Sequence, residues 1–194
     1  MSRCQNSLAS CWAGHRTQER WLNRIGTTQI NVEGQLADDM NTESRRRYRV
    51  AFICVKNSCR SQVAEALAKS LAPDIIDPVS GGTEPAEEVD PGAIEAMKEL
   101  GIDISHARPK QLPAETLASL DLVVHMGCGA PGMCLIVPGI PSEDWGVADP
   151  TGGPAEKYCE MVKVIREKVL DLAARLRSGR LPPSSLKFTL KLSL

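Results

Sequence analysis

Aromatic side chains are scarce in this chain: they make up 4% of its 194 residues, with only two Tyr and two Phe. That poverty argues against a cleft shaped around an aromatic ring. No run of about 18 uninterrupted apolar residues occurs, which excludes a membrane-spanning helix. The N-terminus opens on polar residues and lacks the apolar stretch of a secretory signal. Neither sign of charge dominates, and a net charge of -1 gives no general case for nucleic-acid binding. The charge is uneven, however. Residues 1–49 carry eight Arg against five acids and residues 177–194 four basic side chains and no acid, which leaves the body between them at -8. An acidic body attracts no anion from a distance, so any anion site must be made locally. Seven cysteines are an odd number and cannot form a fully paired secreted framework. The expectation is a cytoplasmic protein in a reducing compartment.

What is present is enough for one domain with extensions, since 42% of the side chains are apolar. Residues 1–48 read as an N-terminal extension. Trp12, Trp21, Leu22, Ile30 and Val32 are separated by polar residues without a sustained period, and Met40 offers an alternative start. The extension is expected to be disordered or a start-site artefact, with a docking helix through Trp12 and Trp21 as the alternative. Cys4 and Cys11 have no companion ligands at metal-like spacing.

From residue 49 the pattern changes. Val50–Cys54 is a short buried strand, and Ser61–Ala72 an amphipathic helix with Val63, Ala64, Leu67, Ala68 and Leu71 on one face. Ile75–Val79 is a second strand, and Ser80-Gly81-Gly82-Thr83 a turn or ligand-facing loop. Asp90-Pro91 starts a helix, which Gly101 ends. Asp121–Met126 is a third strand running into a loop, Gly127–Pro138, that carries Cys128 and Cys134. Glu143–Val147 is a short edge strand, and a long helix spans about 153–177. Strands alternating with helices at this spacing predict an α/β domain over 49–177, a parallel sheet covered on both faces. Residues 178–194 form a C-terminal tail whose alternating end would make an added edge strand or none at all.

The informative string is Cys54-Val55-Lys56-Asn57-Ser58-Cys59-Arg60-Ser61, which leaves a strand and enters a helix. Ligand sites form at the carboxyl ends of strands in open α/β sheets. A loop of this length can turn successive amides inward, and the following helix N-terminus adds donors and dipole. Three oxygens of a tetrahedral oxyanion fit that ring, with Arg60 supplying a bidentate fork. Cys54 lies beneath the central atom, where the same donors stabilise negative charge on its sulfur. Ser61 can donate to that sulfur, Asn57 braces the loop, and Lys56 adds positive potential at its rim.

Phe52-Ile-Cys-Val-Lys-Asn-Ser-Cys-Arg-Ser-Gln-Val-Ala-Glu65 resembles the active-site loop of the low-molecular-weight tyrosine phosphatase superfamily, and within it the arsenate reductase branch. Ser80-Gly-Gly-Thr-Glu-Pro85, Gly101–Pro109, Met126-Gly-Cys-Gly129 and Glu143–Pro150 add to the resemblance, which covers roughly 49–177 and neither end. It implies a three-layer α/β/α sandwich around a four-stranded parallel sheet. It also implies Asp149, in the pair Asp149-Pro150, as the acid that protonates the leaving oxygen.

The branches diverge once Cys54 has attacked. A phosphatase hydrolyses its cysteinyl adduct and needs no other cysteine, whereas arsenate must accept two electrons. By resemblance, Cys128 resolves the adduct as a disulfide and Cys134 relays that disulfide outward, where thioredoxin would reduce it. Leu135 stands where proline often follows the relay cysteine. Zinc at Cys128 and Cys134 lacks a second ligand pair, and His125 reads as a strand-end side chain. Cys59 is a spectator, or an oxidation target if its thiol is acidic. No tightly bound cofactor is implied. Some family members hold potassium beside the loop, and Asn57, Glu65, Ser80 and Asp103 resemble that site. The expected ligands are arsenate, with phosphate or sulfate competing, for a monomer with no membrane or nucleic-acid partner. A phosphomonoester phosphatase and a non-enzymatic oxyanion-binding module are the competing readings.

Overall fold

The computed structural model describes residues 46–127, 135 and 137–181. Within them β1 (Tyr48–Cys54), β2 (Ile76–Gly82), β3 (Leu122–His125) and β4 (Ser142–Asp144) form one sheet in the order β2-β1-β3-β4. All three pairings are parallel, with Cys54 opposite Gly82 and Ile53 opposite His125. The expected four-stranded parallel sheet is therefore present, flanked by helices. No helix among the described residues is long and apolar enough to cross a membrane.

One face of the sheet is covered by α1 (Arg60–Leu71) and α4 (Ala155–Arg177), and α2 (Pro91–Lys98) packs on α4. The apolar residues of α1 and α4 recur at helical spacing, so Val63, Leu67, Val162, Ile165, Val169 and Leu172 are all buried. Burying a side chain of that size contributes about 1.5–3 kcal/mol. The opposite face is thinner. Ala51, Ile53, Leu120 and Val123 form a cluster closed by Val79, Leu112, Leu117, Leu135, Val137 and Ile140. Its helix is α3 (Ala114–Ala118), only five residues long and not evident from the sequence. So short a segment shows barely one turn of periodicity.

Several boundaries differ from the sequence reading, among them the start of β1 at Tyr48 and the end of α2 at Lys98. Ser80, Gly81 and Gly82 continue β2 instead of turning, because their backbone pairs with Phe52, Ile53 and Cys54. The edge strand begins at Ser142 and ends at Asp144; Trp145 instead packs on Phe52, their rings 5.5 Å apart. The last helix starts at Ala155 behind Pro154. Asp90 caps α2 through bonds from Gly92 N (2.8 Å) and Ala93 N (3.3 Å), as expected. Gly101, with φ 74°, follows that helix. The two chain ends, Cys4, Cys11, Cys128 and Cys134 lie outside the described residues.

Candidate active site

The loop between β1 and α1 is shaped by its own side chains. Asn57 takes a left-handed backbone (φ 47°), a conformation its short polar side chain tolerates. Its amide donates to Cys54 Sγ at 3.1 Å, and its Nδ2 donates to Ser61 Oγ (2.8 Å) and Ser80 Oγ (3.0 Å). Ser61 Oγ lies 2.9 Å from Cys54 Sγ. Because that oxygen already accepts from Asn57, its proton is free for the sulfur. Asn57 Oδ1 accepts from Gln62 Nε2 (3.2 Å) and Lys110 N (2.9 Å). Asn57 is fully buried and tied to β2, α1 and the segment before α3.

The outer wall is backbone. Glu84 N binds Val55 O, Ala86 N binds Lys56 O and Asp90 N binds Ser58 O, at 2.9, 2.9 and 2.8 Å. Gly82 lets β2 come close: a Cβ there would sit 2.6 Å from Val55 O and 2.9 Å from Asn57 N. None of these carbonyl contacts has a side-chain signature, which is why the sequence did not disclose them.

Arg60 is buried and heavily engaged. Its Nη1 donates to the carbonyls of Met126 (3.3 Å), Gly127 (3.2 Å) and Val147 (3.1 Å), and its Nη2 to Asp149 Oδ2 at 2.8 Å. Asp149 thus lies beside the loop through this pairing with Arg60. Partial burial works to raise its pKa, but bonds from the Thr151 hydroxyl and amide, with Arg60 and Lys56, outweigh that and hold the carboxyl below its ordinary range. Lys56 is exposed at the rim. Cys59 faces inward, 4.0 Å from Met161 Sδ. Burial first, then Asp90 and Asp149, push its thiol well up, so it stays protonated and the acidic-thiol reading of this residue falls.

Asn57, Glu65 and Ser80 also come together. Ser80 donates to one Glu65 oxygen and Lys69 to the other, with Lys110 Nζ 3.8 Å away. Asp103 is exposed, accepts from Ser105 N at 2.9 Å, and lines an open cleft with Glu65, Lys69 and His106. The oxygen donors suit a hard cation in type. Both Glu65 oxygens, however, are already engaged, one by the Lys69 ammonium and the other by Ser80. His125 is buried at the end of β3, its pKa lowered chiefly by burial. No cluster of three or more His, Cys, Asp or Glu residues suited to a metal occurs among the described residues.

Residues 49–180 match the family described as low molecular weight phosphotyrosine protein phosphatase. The chain is similar to arsenate reductase 2 of Staphylococcus haemolyticus, 44% identical over 110 residues, which are 56% of this chain and 83% of that protein. Among solved structures it resembles a thioredoxin-dependent arsenate reductase of Corynebacterium glutamicum at 31% identity and TM-score 0.57, covering 69% of this chain and 64% of that one. It also resembles an arginine phosphatase of Geobacillus stearothermophilus at 31% identity and TM-score 0.58, covering 68% and 94%.

Proposed function

Since the chain belongs to the low molecular weight phosphotyrosine protein phosphatase family, whose arsenate reductases it resembles, we propose that it reduces arsenate to arsenite. The catalytic domain, read from the sequence as residues 49–177, takes in Tyr48 through β1, with the extensions 1–47 and 178–194 on either side. Membership supports chemistry by an active-site cysteine. The observation that carries the finer reading is the pair of bonds from Arg60 to the carbonyls of Met126 and Gly127. The guanidinium that would hold the oxyanion is thereby fastened to the residue next in sequence to Cys128.

In this reading, the loop amides of Val55, Lys56, Ser58, Cys59 and Ser61 would turn inward and, with the Arg60 fork, hold three oxygens of arsenate. Cys54 Sγ attacks arsenic, the S–As bond forms, and a hydroxyl leaves as water with the proton supplied by Asp149. A bound dianion raises the pKa of the neighbouring Asp149, which favours the protonated form that donates. The Cys128 thiolate then attacks Cys54 Sγ. An S–S bond forms, the S–As bond breaks, and arsenic departs with that electron pair as arsenite, reduced by two electrons. Cys134 attacks Cys128, frees Cys54, and leaves a Cys128–Cys134 disulfide that the dithiol of thioredoxin reduces. Potassium at Asn57, Glu65, Ser80 and Asp103 would compete with Lys69 and support the loop; no step runs through it.

Phosphomonoester hydrolysis is the second reading, favoured by the match of residues 49–180 to the low molecular weight phosphotyrosine protein phosphatase family. The deciding experiment follows NADPH consumption with thioredoxin, thioredoxin reductase and arsenate, with arsenite quantified at the end and a blank without arsenate. Sustained oxidation matched one-to-one by arsenite, lost in Cys128→Ser while aryl-phosphate hydrolysis persists, is the expected result. Reduction that survives Cys128→Ser would overturn the cascade. Ester hydrolysis without arsenite formation would transfer the site to the phosphatase reading.

A further inference from the structure

Tyr158 stands in the first turn of α4 and is 6% exposed. Its hydroxyl accepts from Gly152 N at 3.3 Å and donates to Asp90 Oδ2 at 3.2 Å. Gly92 makes room for the ring, since a Cβ there would lie 2.5–2.7 Å from the phenol carbons. Asp90 is itself fixed at both ends. Its other oxygen caps α2 at Gly92 N and Ala93 N, and its amide binds Ser58 O in the cradle at 2.8 Å.

The segment that Tyr158 grips carries Asp149. Asp149 Oδ1 accepts from Thr151 N (3.1 Å) and Thr151 Oγ1 (2.7 Å), and Gly153 N binds Pro150 O at 2.8 Å. Residues 149–153 are therefore a turn tied within itself, and among the described residues two side chains hydrogen-bond it to its surroundings. One is Arg60, through the ion pair with Asp149. That attachment has a weakness: it is strong only while Asp149 is ionised, and an acid must be protonated to donate. Tyr158 holds Gly152 whatever the charge on Asp149. Burial, and then the bond to Asp90, push its phenol up to about 12, so it remains a neutral donor to Asp90 throughout the working range.

We propose that Tyr158 is a positioning residue, which with Asp90 holds the Asp149 turn against the cradle so that the protonated carboxyl stays over the leaving oxygen. The inference rests on the assignment of Asp149 as the acid, and concerns the first step alone. It therefore holds for a reductase or a phosphatase. The sequence placed no function on Tyr158.

The test measures first-turnover release of phenol from two aryl phosphates, one with a poor leaving group (phenyl phosphate) and one with a good one (2,4-dinitrophenyl phosphate). Inorganic phosphate serves as a competitive ligand, and thermal melts confirm folding. Tyr158→Phe keeps the ring and removes the two bonds. The expected result is a loss of about three- to tenfold with phenyl phosphate. With the dinitrophenyl ester, whose leaving group needs no proton, and in phosphate affinity, the change stays within about twofold. Asp149→Asn should show the same selectivity more strongly, and adding Tyr158→Phe to it should change nothing further. Equal losses with both esters, weakened phosphate binding, or wild-type rates would overturn the positioning role while Asp149→Asn remained selective. If Asp149→Asn spares both esters alike, the acid assignment falls and this inference with it.

Discussion

Arg60 and Asp149 form an ion pair at the mouth of the cradle, Nη2 to Oδ2 at 2.8 Å, with the guanidinium side chain 10% exposed and the carboxyl 50%. The pairing leaves the second hydrogen of Nη2, and the Nε–H, for an anion below. It also binds the folded state to pH. The Asp149 pKa is lowered from its ordinary value of 3.8 by Thr151, Arg60 and Lys56 against the opposing effect of burial. A depressed folded-state pKa contributes stability that is fully present above the unfolded value and is lost as pH falls through the folded one. Asp149→Asn should therefore lower the urea midpoint at pH 7, and the gap to wild type should close below pH 3.8. Urea melts at pH 7 and pH 3 check this. A gap of equal size at both would show that the charge is not its source.

Gly82 is the point where β2 meets the loop. Alanine there would place a methyl 2.6 Å from Val55 O, and backbone cannot yield as a side chain can. Gly82→Ala should cost about 1–3 kcal/mol of stability, the usual range for overpacking. It should also weaken phosphate binding, since Asn57 N, one of the donors to Cys54, lies 2.9 Å from the same methyl. Calorimetric melts and phosphate titration report the two effects separately.

Ser61 Oγ accepts from Asn57 Nδ2 and lies 2.9 Å from the Cys54 sulfur, which leaves the hydroxyl hydrogen available to it. Ser61→Ala removes that hydroxyl and should slow alkylation of Cys54 by iodoacetamide by several-fold, on the order of one hydrogen bond. Peptide mapping distinguishes Cys54 from the other thiols. Cys59, held protonated by burial and by Asp90 and Asp149, should remain unlabelled under the same conditions.

Cys134→Ser separates the relay from the reduction. If Cys128 resolves the adduct, this variant should release about one arsenite per enzyme and then stop, trapped with Cys54 joined to Cys128. Quench-flow with arsenic speciation gives the burst, and non-reducing peptide mapping the disulfide. Continued turnover would remove Cys134 from the cascade.

Much of this was legible in the sequence where one side chain carries one job. Asp90-Pro91 announced a capped helix, and the structure has that cap. The Cys54–Ser61 string reads as an anion cradle on a strand-to-helix turn; the structure places the string between β1 and α1, where Asn57 bonds to Cys54, Ser61 and Ser80. Apolar spacing along 155–177 located the long helix to within two residues of its start. What escaped was cooperative or carried by backbone. Ser80-Gly81-Gly82 has turn composition, yet pairing with β1 holds it in the sheet, a tertiary preference overriding a local one. The three carbonyls that hold Arg60 belong to Met126, Gly127 and Val147, residues whose side chains say nothing about their oxygens. Tyr158 lies about a hundred residues from the cradle, and its role exists only once α4 has docked.

Arg60 reaches four acceptors before any substrate arrives. A free arginine surrenders about 2 kcal/mol of rotamer entropy when it is immobilised. Here the fold has already absorbed that loss, so on the proposed reading an oxyanion would meet a guanidinium whose plane is already set. Discrimination at such a site would be geometric. A lysine carries the same charge but cannot satisfy three carbonyls and a carboxylate while still facing the loop, and Arg60→Lys would leave a cation of the right sign pointed nowhere in particular.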